Sequence, residues 1–190
     1  MRRTATRVLP VIVVLATLAV AAPAHAAYSA TDPRDTDTRM DLRTLSSRIV
    51  HGSIGGHPAK IVRFRVVFDK SVPWANLHNP DLLFAMDTKS DATADYRLDI
   101  VRRVVPGDSQ KMHCELRDAS LQVVLTTDDM VGFSVAGKTA TCGFRKSAMT
   151  VRPSGVVRWA VQSHYAADAQ GTDFRIDDAP GVDPFFYPHL

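Results

Sequence analysis

Residues 81–100 read "DLLFAMDTKSDATADYRLDI". An apolar run comes first, then a polar stretch carrying Asp87, Asp91 and Asp95. An alternation follows, with Tyr96, Leu98 and Ile100 on one side of the backbone and Arg97 and Asp99 on the other. Period-two alternation marks a half-buried strand, because successive side chains point to opposite faces. A short apolar run bounded by turn residues marks a central strand. The unit therefore reads as strand, turn, strand.

The same pattern extends in both directions. "KIVRFRVVFD" sets Val62, Phe64 and Val66 against Arg63 and Arg65, and "KMHCELRD" groups Met112, Cys114 and Leu116. "MDLRTLSSRIV", "SLQVVLTT", "MVGFSVAG", "TATCGFRK" and "GVVRWAVQSHY" complete the series. "HGSIGGHPA", "PGDSQ", "GK" and "RPSG" read as turns, "KSVPWANLHNP" as a connecting loop, and "RKSAMTV" as one helical turn. About nine strands at this spacing, with no helical period, predict an all-β fold. The expected form is a single antiparallel β-sandwich, jelly-roll or Ig-like, over residues 41–166.

Composition points the same way. Glu115 is the sole glutamate among 20 acidic residues. Aspartate favours turns and caps, whereas glutamate is a helix former.

At the N-terminus Arg2, Arg3 and Arg7 precede an apolar stretch over residues 8–22, and Ala24, His25 and Ala26 have the small-x-small form of a cleavage site. Residues 1–26 are read as a signal peptide, and the protein as secreted. The stretch is short for a bilayer span and contains Pro10, and no second span is expected. Three of the 23 basic residues lie in this segment, which leaves 20 of each sign and a formal net charge of 0. The basic pI is then no footprint of nucleic acid. Residues 27–40 read as a flexible lead-in, and 167–190 as an irregular tail packing on the sandwich.

Cys114 and Cys142 are the only cysteines. In an exported chain two cysteines most simply pair, and both sit on the apolar faces of their strands. One core disulfide is expected.

Three features bear on ligands. Asp87, Asp91 and Asp95 could converge on calcium, which takes six to eight oxygens; the alternative is a turn whose Asp side chains bind backbone N–H groups. No other cofactor is indicated. Trp74, in a loop, is the exposed-aromatic candidate for ligand binding, while Trp159, in a strand, is expected in the core. The arginines of "KIVRFRVVF" and "IVRRVV" form outward stripes, for which cross-strand Asp–Arg pairs and an anionic ligand are equally good explanations.

Other arrangements lead nowhere. "RIVHGSIGG" resembles the activated N-terminus of trypsin-like proteases, yet no Gly-Asp-Ser-Gly-Gly segment follows. Ser154 lies in a turn. His51 and His57 flank the glycine turn without a third metal ligand at recognisable spacing. Phe185, Phe186 and Tyr187 read as tail packing rather than a stacking platform. No base–nucleophile or acid–base pair stands out, so a non-catalytic role is expected.

Residues 87–95 resemble the "DTDGDGKADY" loops of secreted bacterial β-sandwich domains. Asp87, Asp91 and Asp95 match loop positions 1, 5 and 9. Lys89 stands at position 3, and Ser90 and Ala92 replace the glycines. Further on, Phe144, Ser147, Ala148 and Met149, then Gly155, Val157, Arg158 and Trp159, are similar to the closing strands of DOMON and family-9 carbohydrate-binding domains. The pieces "ATDPRD" and "DDAP" resemble uncharacterised secreted actinobacterial proteins. These resemblances imply a secreted sandwich fold and no known activity. The expected role is a secreted recognition or adhesion module with glycan binding, its partner an envelope polysaccharide or another surface protein. The alternative is a structural or protein-interaction domain of the cell envelope without a small ligand. A secreted hydrolase comes third.

Overall fold

The computed structural model describes residues 27–32, 39–89, 91, 93–102, 111–151, 157–166, 168 and 174–179. The segment read as a signal peptide, Ser154 and Phe185 to Tyr187 lie outside these residues.

Eleven strands occur among the described residues, in two antiparallel sheets. The first sheet contains β1 (Ala27–Thr31), β2 (Leu42–Ile54), β3 (His57–Phe68), β8 (Ser134–Ala136) and β9 (Thr139–Arg145), in the order β1-β2-β3-β9-β8. The second contains β4 (His78–Asp87), β5 (Tyr96–Arg102), β6 (Met112–Asp118), β7 (Val123–Leu125), β10 (Arg158–Ala166) and β11 (Phe174–Ala179), in the order β11-β10-β4-β5-β6-β7. All nine expected strands are present as β2 to β10, and the expected helical turn is a 3₁₀ turn at Lys146–Ala148. The fold is a β-sandwich.

The period-two faces explain why the sheets stack. Val62, Phe64 and Val66 of β3 are fully buried, while Arg65 between them is exposed. Leu82, Phe84 and Met86 of β4 and Leu98 and Ile100 of β5 meet them from the second sheet. Aromatic rings tie the layers together. Phe64 lies 4.8 Å from Phe84 and 5.3 Å, edge-on, from Trp159, centroid to centroid. Each such pair adds about 0.5–1.5 kcal/mol beyond the area it buries. The Trp159 Nε1–H donates to Ser47 Oγ at 2.9 Å, which satisfies the one polar atom of a fully buried indole. Cys114 on β6 and Cys142 on β9 form the expected disulfide between the sheets.

Two stretches expected to be irregular are strands. Residues 27–31, read as part of the lead-in, pair with residues 44–48 of β2 as the edge strand β1. Residues 174–179, read as tail, pair with β10 as β11. Both are short edge strands, β1 without a large aliphatic residue and β11 with two aspartates, so they lack the apolar pattern that marks the other edges β7 and β8.

The stretch "HGSIGGHPA" is also more regular than a turn. β2 and β3 run through it and reverse only at Gly55 and Gly56, whose φ values of 59° and 81° are those of a two-residue type I′ hairpin turn. Gly143 on β9 is required for a different reason. A Cβ there would lie 2.7 Å from Val131 O, because the segment after the 3₁₀ turn Thr127–Asp129 crosses the sheet at this point. Val131 N donates to Gly143 O at 2.7 Å.

Candidate functional site

The β4–β5 turn, residues 88–95, carries the sequence's calcium candidates. Asp87 closes β4 and is fully buried. Its register partner on β10 is Arg158, whose Nε lies 3.1 Å from Asp87 Oδ2 and whose Nη2 also binds that oxygen. The other oxygen, Oδ1, accepts Lys89 N–H at 3.0 Å and Asp91 N–H at 3.4 Å. Asp95 Oδ2 accepts Thr88 N–H at 2.9 Å, Thr88 Oγ1–H at 2.9 Å and Lys89 N–H at 3.1 Å. Its Oδ1 takes the Lys89 ammonium. Asp91 is exposed and accepts Thr93 N–H at 3.1 Å.

These carboxylates therefore build the turn. Asp87 and Asp95 face guanidinium, ammonium and backbone donors, and Asp91 folds onto its own chain. Lys89, at the position where a calcium loop has a ligand, supplies the positive charge instead. Among the described residues no group of three His, Cys, Asp or Glu side chains is placed to hold a metal ion. His51 and His57 are exposed, and register pairs them with Lys60 and Ile54 rather than with each other.

Electrostatics in the turn follow these contacts. Burial pushes the Asp95 carboxyl up, but the bonds from Lys89 and Thr88 outweigh it and hold the group below its ordinary value. The hydrogen bond and charge of Asp95 hold the Lys89 ammonium above its own.

Beside this turn lies a cleft of about 310 Å³, at the lower end of the range for small-ligand sites, roughly 300–1,000 Å³. Thr88, Lys89, Asp95 and Tyr96 line it from the β4–β5 turn, Asp118 and Ser120 from the β6–β7 turn, and Thr150 from the far side. Its walls are fixed by hydrogen bonds. Tyr96 Oη accepts Thr150 N–H at 3.0 Å, and Asp118 Oδ1 accepts Ser120 N–H at 2.9 Å and Gln122 N–H at 3.0 Å. The Lys89 side chain, 54% exposed, reaches into solvent at its rim. The cleft offers hydroxyls, an ammonium and carboxylates beside a tyrosine ring. Such groups can donate hydrogen bonds to, and accept them from, a small polar molecule.

Trp74 does not fit its expected role. It sits in a 3₁₀ turn, Trp74–Asn76, and is only 8% exposed, with its ring packed edge-on against Phe68 at 5.5 Å. The loop folds back over the core because Val72, Trp74 and Leu77 are all apolar and all buried. Its carbonyl, with that of Leu77, accepts from Arg102, so Arg102 braces this loop instead of joining an outward stripe. Arg103 lies outside the described residues.

Cross-strand acid–arginine pairs do occur on the outer face of the second sheet. Arg97 lies 3.4 Å from Asp81 on β4 and Arg117 3.5 Å from Asp99 on β5, and each also binds an acid two residues along its own strand, Arg97 to Asp99 and Arg117 to Glu115 at 2.6 Å. Asp81 is 8% exposed and its Oδ1 has no hydrogen-bond partner among the described residues. Burial and the neighbouring Asp99 push its carboxyl up to about 7, against the pull of Arg97. His164, 3.7 Å away, is lowered by burial and by Arg97. Nothing in the sequence distinguished Asp81, since it lies ahead of an apolar run like any strand-opening residue.

No family model, curated protein or solved structure matches the chain.

Proposed function

We propose that the protein is a secreted, non-catalytic recognition module that binds a saccharide unit of an extracellular or envelope polymer in the cleft beside the β4–β5 turn. The observation that supports this reading is the cleft itself, where hydroxyl, ammonium and carboxylate groups are held in fixed positions by the hydrogen bonds of two hairpin turns. Sugars present several hydroxyls at once, and groups already held in place bind them with less ordering cost than mobile ones. The test is a glycan array followed by titration of the best ligand. Lys89→Ala and Ser120→Ala should each weaken binding by about tenfold, roughly 1.4 kcal/mol, with melting temperature little changed. Array signals that both substitutions leave intact would sink the reading.

A second reading, a protein-contact domain without a small ligand, has one observation in its favour. Leu121, Val123 and Val124 are 56%, 45% and 38% exposed at the outer edge of the second sheet. A silent glycan array together with retention on immobilised cell-surface protein, lost in Leu121→Asp, would favour it.

A further inference from the structure

The two sheets differ in charge. None of the five strands of the first sheet contains an aspartate or glutamate, whereas the second sheet holds Asp81, Asp87, Asp99 and Glu115 in ion pairs. Register partners in an antiparallel pair share a face, which places Arg48 opposite Arg63, Arg65 opposite Ser46 and Thr141, and Arg145 in the next row on the outer side of the first sheet. Arg48, Arg65 and Arg145 are exposed. Among the described residues none of these four arginines has an ion-pair partner, and Arg63 Nε is buried without a hydrogen-bond acceptor. The Arg63 guanidinium lies against Gly132, where a Cβ would stand 3.3 Å from it.

Like charges placed directly opposite each other are unfavourable in a sheet. The Arg48–Arg63 pair is therefore an arrangement that a bound anion relieves. A guanidinium fork matches a carboxylate, sulfate or phosphate with two parallel hydrogen bonds. Ser46 and Thr141 flank Arg65 as its register partners on the same face. Among the described residues the exposed large apolar side chains, Leu121, Val123, Val124 and Ile176, all lie on or beside strands of the second sheet. The segment after the 3₁₀ turn crosses this face at Gly143 and lies against Arg63, and Asp128 and Asp129 line the same hollow as Arg145. The rest of the face presents Arg48, Arg65 and hydroxyls, without, among the described residues, the exposed large apolar side chains that insert into lipid or the aromatics that stack on bases.

We propose that the outer face of the first sheet binds an acidic polysaccharide, with Arg48, Arg63 and Arg65 taking its anionic groups and Ser46 and Thr141 its hydroxyls. The proposal goes beyond the cleft, which lies at the β4–β5 turn of the other sheet. It also separates the two explanations that the sequence left open for the arginine stripes. In the second stripe Arg102 is taken by the carbonyls of Trp74 and Leu77, while a ligand accounts for Arg63 and Arg65 of the first.

The test uses the full chain with polygalacturonate, dextran sulfate and neutral dextran as probes, at low ionic strength and at about 0.5 M NaCl, where screening is short-ranged. Binding to one or both acidic polymers, weak binding to neutral dextran, and loss at high salt are expected. Polygalacturonate and dextran sulfate distinguish carboxylate from sulfate recognition. Arg48→Gln and Arg65→Gln, whose side chains are exposed and whose folding melting curves will check, should each weaken binding by about tenfold. Lys60→Gln, which removes the same charge from the opposite side of β3, should leave binding unchanged. Arg63→Lys keeps the charge and loses the fork, and should also weaken binding.

Equal loss with Lys60→Gln, equal binding to neutral dextran, absence of binding to both acidic polymers, or tighter binding to vesicles containing phosphatidylglycerol would each overturn the proposal. Polymer binding lost in Lys89→Ala and kept in the arginine variants would overturn it as well, while leaving the cleft reading standing.

Discussion

The carboxylate of Asp177, on the last strand of one sheet, accepts the backbone N–H of Leu42, on the second strand of the other, at 2.5 Å. Both residues are buried, at 3% and 0% exposure. A buried N–H left without a partner costs about 1–3 kcal/mol, so this contact, with the buried Ala179, helps hold β11 against the far sheet. Asp177→Ala is expected to destabilise the protein by about that amount, read as a lower urea midpoint at unchanged slope.

The Cys114–Cys142 bond should be the largest single contribution. With a sequence separation of 28, loop closure in the unfolded chain is worth roughly 3–4 kcal/mol in the chain-entropy model. The double variant Cys114→Ala, Cys142→Ala should lose about that much in equilibrium unfolding, beyond the loss of Asp177→Ala.

In the β4–β5 turn the three aspartates should separate sharply. Asp95→Ala strands Thr88 N–H, leaves Lys89 N–H to Asp87 alone, and is expected to cost about 2 kcal/mol. Asp91→Ala touches an exposed side chain and should stay within about 0.5 kcal/mol. Calcium up to millimolar concentration should leave the melting temperature unchanged, because ammonium, guanidinium and backbone donors already occupy Asp87 and Asp95. A rise with calcium that chelator reverses would restore the metal reading.

Asp81 gives a pH dependence of unusual sign. Its carboxyl, ordinarily near 3.8, is raised to about 7 in the folded protein. Between these values the folded state holds the proton more tightly than the unfolded state, so this group lowers stability as pH rises through the window and adds no further slope above it. The span corresponds to at most about 4 kcal/mol. The stability difference between the wild type and Asp81→Asn should therefore shift toward the variant from pH 4 to pH 7 and then level off. A difference that stays flat across that window would show that Asp81 titrates normally.

Both indoles are enclosed, Trp74 at 8% and Trp159 at 0% exposure. Intrinsic fluorescence should resist acrylamide, and Trp74→Phe should bind ligand as the wild type does while melting lower. Strong quenching in the native state would return Trp74 to the surface.

The strands were legible wherever one face meets the core. Val62, Phe64 and Val66 alternate with Arg63 and Arg65 because the pleat sends every second residue inward, and β4 reads as apolar because its Leu82, Phe84 and Met86 share the central layer with Trp159. β1 and β11 were not legible, because "AYSAT" and "FRIDDA" carry too little apolar alternation to mark an edge held mainly by backbone bonds, whereas the edges β7 and β8 lie in apolar stretches. The turn was read with its two alternatives open, and Lys89 was the residue that pointed away from calcium. The burial of Trp74 could not be read, since it depends on where a loop with two prolines folds back. Nor could the partners of the arginines. Arg97 and Arg63 occupy equivalent places in alternating strands and each stands opposite an arginine, Arg117 and Arg48, yet only Arg97 also reaches carboxylates, those of Asp99 and Asp81. Only strand pairing between distant segments decides that.

The disulfide also has a mechanical meaning. One cysteine belongs to each sheet, so a force that draws the layers apart is carried by a covalent bond between β6 and β9. A chain pulled from its two ends cannot release the segment between the cysteines. At roughly 3.5 Å per extended residue, that segment withholds on the order of 100 Å of contour length. Strands β7 and β8 lie inside the closed loop and bear none of the load. Reduction returns that length, so the redox state sets how far the molecule can stretch before it breaks.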